Sequence, residues 1–309
     1  AIAERLGAPV VQTVNARGLM HGHPLTVAAS PSLEPVRDLI READVVLAVG
    51  TEFGPTDYDM YAVGGVPEPK FLIRVEIGAE QMARHHVDIA LQGLSETVLP
   101  ALAAALPEGQ PTDGADRAAH AREAAWAVLD DMTHVHVSIL NAVRDAVPGA
   151  VIVGDSTQPV YAGNLFFDHD RPGGWFNAAT GYGALGYAIP AAVGAALADP
   201  AAPVVCLTGD GGAQFTLPEL MTAVDEKLPI SFLVWNNRAY REIAEAMAHA
   251  GVEVIGCHPS PPDFAHIAAA CGMGYVRAAA TADAVSAALK ASRPSNGPVM
   301  IEIDATGRT

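Results

Sequence analysis

Cysteine is scarce: Cys206, Cys257 and Cys271 are the three in 309 residues. An odd, scattered set with no CxxC pair excludes a disulfide framework and a thiolate metal site of the usual spacing. The three are expected as reduced thiols, at least one of them buried in a strand. Aromatic residues make up 6% of the chain and charged residues 17%, while half is hydrophobic. A disordered chain shows the opposite balance, so this one has a core to bury. Basic residues are few, 18 Lys and Arg against 35 Asp and Glu, for a formal net charge of −17. Such a surface repels nucleic-acid phosphates and anionic lipid, which argues against both as partners. No apolar run reaches the length of a membrane span. No charged and then apolar leader opens the sequence, so a cytoplasmic location is expected. An initiating Met is also lacking, and Ala1–Gly7 reads as the end of a helix already under way. The chain is therefore expected to be a piece of a longer protein.

What is present is an alternation of β-rich runs and helical patterns in two blocks. In the first, strands are expected at Val10–Val14, Val45–Val49 and Phe71–Ile77, and helices at Leu33–Glu42 and Leu94–Ala105. In the second, a helix near Val135–Val147 precedes strands at Val151–Gly154, Val204–Gly209, Ile230–Trp235 and Val299–Ile303. Helices fit between or after them at Leu185–Ala198, Leu217–Glu226, Ala239–Ala248, Pro262–Cys271 and Ala282–Ala291. Alternation of this kind predicts α/β architecture: two doubly wound parallel-sheet domains with covered faces. Pro, Gly, Gln, Thr and Asp over Pro107–Asp116 read as interdomain punctuation. The expected division is a partial Rossmann-like domain over 1–106, a linker over 107–129, and a ligand-binding domain over 130–309.

The strand Val204–Thr208 runs into Gly209-Asp210-Gly211-Gly212, and the strand Ile230–Trp235 runs into Asn236-Asn237. Between Gly211 and Asn236 lie 24 residues, enough for one crossover helix. A right-handed crossover puts both strand ends on the same rim of the sheet, where open α/β sheets bind ligands. Asp210 offers a hard carboxylate oxygen and Asn237 an amide oxygen. That donor set suits Mg2+, which takes oxygen ligands and completes its shell with phosphate and water. The glycines allow close backbone approach to a phosphate and offer N–H donors, with a helix N-terminus behind them. A Gly-Asp-Gly alone is a common turn; the Asn pair at this distance makes the combination specific.

This combination resembles the signature of thiamine diphosphate-dependent enzymes. Residues 130–309 are similar to the diphosphate-binding domain of the pyruvate decarboxylase, benzoylformate decarboxylase and acetolactate synthase superfamily. Residues 1–106 are similar to its middle domain, through GAPVVQTVNARGLMHGHPL and ADVVLAVGTEFGPTDYD. The resemblance implies that Asp210, the Asn237 side chain and the Ala239 carbonyl hold Mg2+. It implies that Gly209, Gly211 and Gly212 face the diphosphate, the last without the hydroxyl found in many relatives. Ser156, Thr157 and Gln158 of GDSTQPVYAGN match a second diphosphate loop, although Ser and Thr after a strand also serve as helix caps. In TGYGALGYAIP, the resemblance assigns the Gly183 carbonyl to the aminopyrimidine, Leu185 to a wedge beneath the cofactor, and Ala184 between them. Tyr240 and Glu242 fall near the substrate; equally, they start a solvated helix. Arg241 replaces a frequent Gly.

The activity implied is decarboxylation of a 2-oxo acid by thiamine diphosphate and Mg2+. GTEFGPTDYD, GDSTQPVYAGN and NNRAYREI look most like 5-guanidino-2-oxopentanoate decarboxylases, and a guanidinium would suit Glu242. The alternatives are an acetolactate synthase-type carboligase and an inactive cofactor-binding fragment. Arg241-Glu242-Ile243-Ala244 stands where such synthases carry Gly-Met-Val-x-Gln-Trp, which argues against the first alternative. FAD occurs in the middle domain of some relatives, but no Gly-x-Gly-x-x-Gly follows a strand here to support it. The family's activating glutamate belongs to a pyrimidine-binding domain that nothing in this sequence resembles. The resemblance also implies a homodimer or homotetramer. His21 and His23 are expected to be structural, and Asp57-Tyr58-Asp59 to lie on the surface.

Overall fold

Among the described residues every strand pairing is parallel. The computed structural model describes residues 1–107, 109, 112–260, 262–292 and 297–307. It divides into two units, one of residues 1–14 and 20–129, the other of 15–19 and 130–309.

In the first unit, β1 (Val10–Val11) pairs with β2 (Thr26–Val27), and β3 (Val46–Val49), β4 (Leu72–Glu76) and β5 (Ile89–Gln92) form a three-stranded sheet. The run Val10–Val14 yields only two strand residues. The Val14 N–H donates to Asp57 Oδ1 at 3.1 Å, and the chain turns into a 3-10 helix at Val14–Ala16. Asp57-Tyr58-Asp59 is not simply surface: Tyr58 is buried and tilts against Phe53, 5.6 Å between ring centres. The stretch read as a linker also differs. Its residues 108, 110 and 111 lie outside the described residues. Gly114–Ala127 is a helix of the first unit, packed on the helix Glu34–Glu42 and on β2. Ala118, Ala121 and Ala125 form its buried stripe, and small side chains at that spacing permit close packing.

The second unit contains β6 (Val151–Gly154), β7 (Trp175–Asn177), β8 (Val204–Gly209), β9 (Ile230–Asn236), β10 (Gly274–Ala279) and β11 (Val299–Asp304), in the order β10-β11-β9-β8-β6-β7. All residues of β8 and β9 are buried. That is why they read as unbroken apolar runs rather than alternating ones. Helix Ala188–Ala198 lies against β6, β8 and β9 through Ala188, Ala192 and Ala196. From β6 the chain goes outward to β7 and then returns to β8 on the opposite side of β6. The order thus reverses between β6 and β8, and a crevice opens beyond the carboxyl ends of strands at such a reversal.

Two helix glycines test the packing. A Cβ on Gly163 would sit 2.6 Å from Trp175 Cζ2 and 2.8 Å from Leu140 Cδ1, whereas one on Gly194 would meet nothing within 4 Å. Gly163→Ala is expected to lower the unfolding free energy by about 1–3 kcal/mol through overpacking. Gly194→Ala is expected to raise it by up to about 1 kcal/mol through helix propensity. Urea unfolding followed by circular dichroism measures both.

Candidate functional site

The register of the central strands decides which side chains meet. Gly209 pairs with Trp235 and Gly154 with Leu207, so the residues after β6, β8 and β9 emerge together. A cleft of about 210 Å3 opens there. It is lined by Ser156, Thr157 and Gln158 after β6, Gly183 and Leu185 of the 180–190 loop, Gly209–Gly212 after β8, and Asn237, Ala239, Tyr240 and Glu242 after β9. Of the residues expected to hold the cofactor or its metal, Ala184 alone is not on its walls and is exposed. Tyr161 and Ile243 line the cleft without having been expected, as does Arg241. Tyr161 was readable as the residue one turn after Gln158 on the same helix face.

Asp210 begins a short helix directly after β8 and is 2% exposed. Its Oδ2 is buried and has no hydrogen-bond partner among the described residues. Burial pushes its carboxyl up to about 6, against the opposing pull of nearby backbone N–H groups that include those of Asn237 and Gly211. A buried polar atom without a partner is costly and rare in native structures. Among the described residues, no three His, Cys, Asp or Glu side chains cluster as a metal site. A cation at Asp210 would therefore take its other ligands from amide, carbonyl and ligand oxygens.

Those oxygens are adjacent. Asn237 Nδ2 donates to Gln158 Oε1 at 3.0 Å, and Asn237 Oδ1 accepts the Ala239 N–H at 3.1 Å. The bare glycines are required by what covers them. A Cβ on Gly211 would lie 2.4 Å from Tyr240 Cε1, and one on Gly212 would lie 2.9 Å from Asp155 Oδ2. Thr157 occupies the cap position of the helix Gln158–Leu165, yet its side chain makes no cap hydrogen bond. The Ser156 hydroxyl donates to the Gly183 carbonyl at 3.1 Å, joining the β6 loop to the 180–190 loop.

Asp155 completes that junction and was not picked out in the sequence. Fully buried, it accepts the Gly186 N–H at 2.9 Å, the Ser156 N–H at 2.8 Å and the Thr208 hydroxyl at 3.1 Å. Burial raises its carboxyl, and these donors oppose the rise. Gly186 sits at φ +85, where a Cβ would strike Phe215. The loop's path therefore depends on this glycine and on the carboxylate that holds its N–H.

After β9, Tyr240 precedes the helix Arg241–His249, which buries none of its residues. The solvated helix start weighed in the sequence is realised, and its first turn still faces the cleft. Glu242 is exposed, and its carboxyl is raised first by desolvation and next by Glu245, while a hydrogen bond from Gln158 lowers it.

The Asp210 shift has a thermodynamic sign. The folded chain holds this proton more tightly than the unfolded chain, so stability is lost as pH rises from about 4 to about 6. A displacement of that size corresponds to about 3 kcal/mol. Asp210→Asn is expected to remove this slope and to raise the unfolding free energy of the metal-free chain at pH 8. Unfolding measured from pH 4 to pH 8 checks it, and an unchanged slope would contradict the assignment.

Comparison with known proteins agrees with the geometry. Residues 155–303 match the family model described as thiamine pyrophosphate enzyme, C-terminal TPP binding domain. Residues 1–102 match thiamine pyrophosphate enzyme, central domain. The chain is 36% identical over 309 residues to a Pseudomonas aeruginosa protein named probable 2-ketoarginine decarboxylase, covering 98% of this chain and 54% of that protein. It is 27% identical over 339 residues to the acetolactate synthase of Mycobacterium leprae, covering 97% and 51%. It is 27% identical over 300 residues to acetolactate synthase isozyme 1 large subunit of Escherichia coli, covering 88% and 50%. The chain spans about half the length of these relatives. Two matched domains, in the same order and over most of the chain, make it a member of the thiamine pyrophosphate enzymes, carrying their central and C-terminal cofactor-binding domains.

Proposed function

We propose that the protein carrying this chain is a thiamine diphosphate- and Mg2+-dependent decarboxylase of a 2-oxo acid, with 5-guanidino-2-oxopentanoate (2-ketoarginine) as the substrate. One observation carries the cofactor part: the buried Asp210 Oδ2, without a partner among the described residues, near Asn237, which follows the neighbouring strand. Asp210, Asn237 Oδ1 and the Ala239 carbonyl hold Mg2+ in this reading. Gly209, Gly211, Gly212, Ser156 and Thr157 line the diphosphate side. Gly183, Ala184 and Leu185 serve the aminopyrimidine. When bound, thiamine diphosphate supplies an acidic ring carbon and an electron sink for the carboxylate's bonding pair. The residues of this chain anchor and orient it.

The guanidino part rests on Glu242 and on the relative named for 2-ketoarginine. Glu242 stands on the cleft wall with its carboxyl available to a cation. A planar guanidinium pairs with a carboxylate through two parallel hydrogen bonds. The activating glutamate is assigned to a domain outside this chain, and the protein to a cytoplasmic homodimer or homotetramer. The cleft's volume of about 210 Å3 supports a missing wall, because complete small-molecule sites run from roughly 300 Å3 upward.

The test is turnover of the intact protein against a panel of 2-oxo acids with both cofactors. Carbon dioxide release is expected to be fastest with the guanidino acid. Glu242→Gln is expected to raise KM for that acid about tenfold, equivalent to about 1.4 kcal/mol, and to leave uncharged 2-oxo acids little affected. Asp210→Ala, or chelation of the metal, is expected to abolish cofactor binding. Acetolactate formed from pyruvate as the main product would overturn the assignment.

A further inference from the structure

An amide ligand carries an ambiguity that a carboxylate does not. Its two ends have nearly the same shape, yet only the oxygen can bind a cation; the nitrogen is a donor. If Asn237 holds Mg2+, as proposed above and as this inference requires, something must keep its oxygen toward the ion. The Asn237 Nδ2 donates to Gln158 Oε1 at 3.0 Å. Gln158 is itself an amide and poses the same ambiguity one step back. It is resolved by Trp235, whose Nε1–H donates to the same Gln158 Oε1 at 3.3 Å.

An indole N–H is a donor and never an acceptor. It admits only the oxygen of Gln158, and that oxygen in turn admits only the nitrogen of Asn237. We propose that Trp235 and Gln158 are positioning residues that fix which end of the Asn237 amide is turned to the cation. The indole is well placed for this. Trp235 is 1% exposed, on the last full turn of pleat before the Asn pair, and the His136 ring meets it edge-on at 5.0 Å. Gln158 is the first residue of the helix Gln158–Leu165, with Pro159 behind it, so its backbone is held as well. Asn237 Oδ1 already accepts the Ala239 N–H, an arrangement that the reversed amide would replace with two facing donors. The relay also gives Gln158 a task other than touching the diphosphate. Its amide N–H, unused in the relay, donates to Glu242 and opposes the desolvation that raises that carboxyl.

The test is Mn2+ binding to the intact protein in saturating thiamine diphosphate, with free Mn2+ counted by electron paramagnetic resonance. This reading does not depend on turnover or on tryptophan emission. Trp235→Phe keeps the ring and removes the donor; it is expected to weaken Mn2+ binding about tenfold, the lower range for partners of metal ligands. Gln158→Leu is expected to do the same. Gln158→Glu offers acceptors at both oxygens and needs no orienting, so it is expected to lose less Mn2+ affinity than Gln158→Leu. In the Gln158→Glu background, Trp235→Phe is expected to cost nothing further, which a purely space-filling role for the indole would not produce. Should Trp235→Phe fail to fold, the Leu and Glu substitutions at Gln158 decide alone; equal losses from the two overturn the relay. Unchanged affinity in Trp235→Phe also overturns it, as does an undiminished loss in the double variant. Asp210→Ala separates the two levels. Loss of Mn2+ there with an unaffected Trp235→Phe sinks the relay only, whereas retained Mn2+ in Asp210→Ala sinks the metal site on which it rests.

Discussion

The parallel pairing of β8 with β9 is the constraint from which the site follows. It brings a carboxylate out of one strand end and an amide out of the next, in a register fixed along six residue pairs. Because both strands are buried along their whole length, a slip of one residue would send every side chain into the packing of the opposite face. The position of Asp210 is thus set by the core, not by its own contacts. That is how the fold tolerates a carboxylate oxygen that no group among the described residues satisfies. The unfavourable burial is small against the summed packing of the sheet.

Asp155 and Asp210 show what an unsatisfied oxygen means here. Each follows a glycine at the end of neighbouring strands, and each is buried. Asp155 is surrounded by donors and ties the β6 loop, the 180–190 loop and β8 into one frame. Asp210 lies in that frame with one oxygen open. The first holds the architecture and the second keeps an oxygen without a partner among the described residues, though the local sequence Gly-Asp is the same for both. Only the three-dimensional list of partners separates them.

Much of this was legible from residue order. The apolar runs Val204–Gly209 and Val151–Gly154 became strands with the expected bounds, and Ile230–Trp235 gained only Asn236. Long buried strands announce themselves because both their faces are apolar. Short ones do not: β7 has three residues and β5 four, and their stability comes from the neighbour they pair with rather than from their own composition. The helix Gly114–Ala127 was hidden for a related reason. Its buried stripe is alanine, which carries little hydrophobic signal, and further alanines on its other faces blur the periodicity. Within the site, motif residues were found because they are close in sequence to glycines and strand ends. Trp235 and Gln158 were separated by 77 positions, and nothing local told that an indole and an amide would meet.

The strand β11 lies between β9 and β10, although it follows both in the sequence. Glu302 on β11 accepts from Asn236 Nδ2 at 2.8 Å, so the first residue of the Asn pair is buttressed by a group made 66 positions later. During synthesis, β9 therefore presents an unpaired apolar edge until the final stretch emerges, and the sheet closes in one late insertion. Such an edge invites strand addition from other nascent chains. A chain released before residue 299 would keep the cleft's signature residues and lack the strand that holds one side of it. Translation of the closing strand and bracing of the Asn pair are, for this domain, a single event.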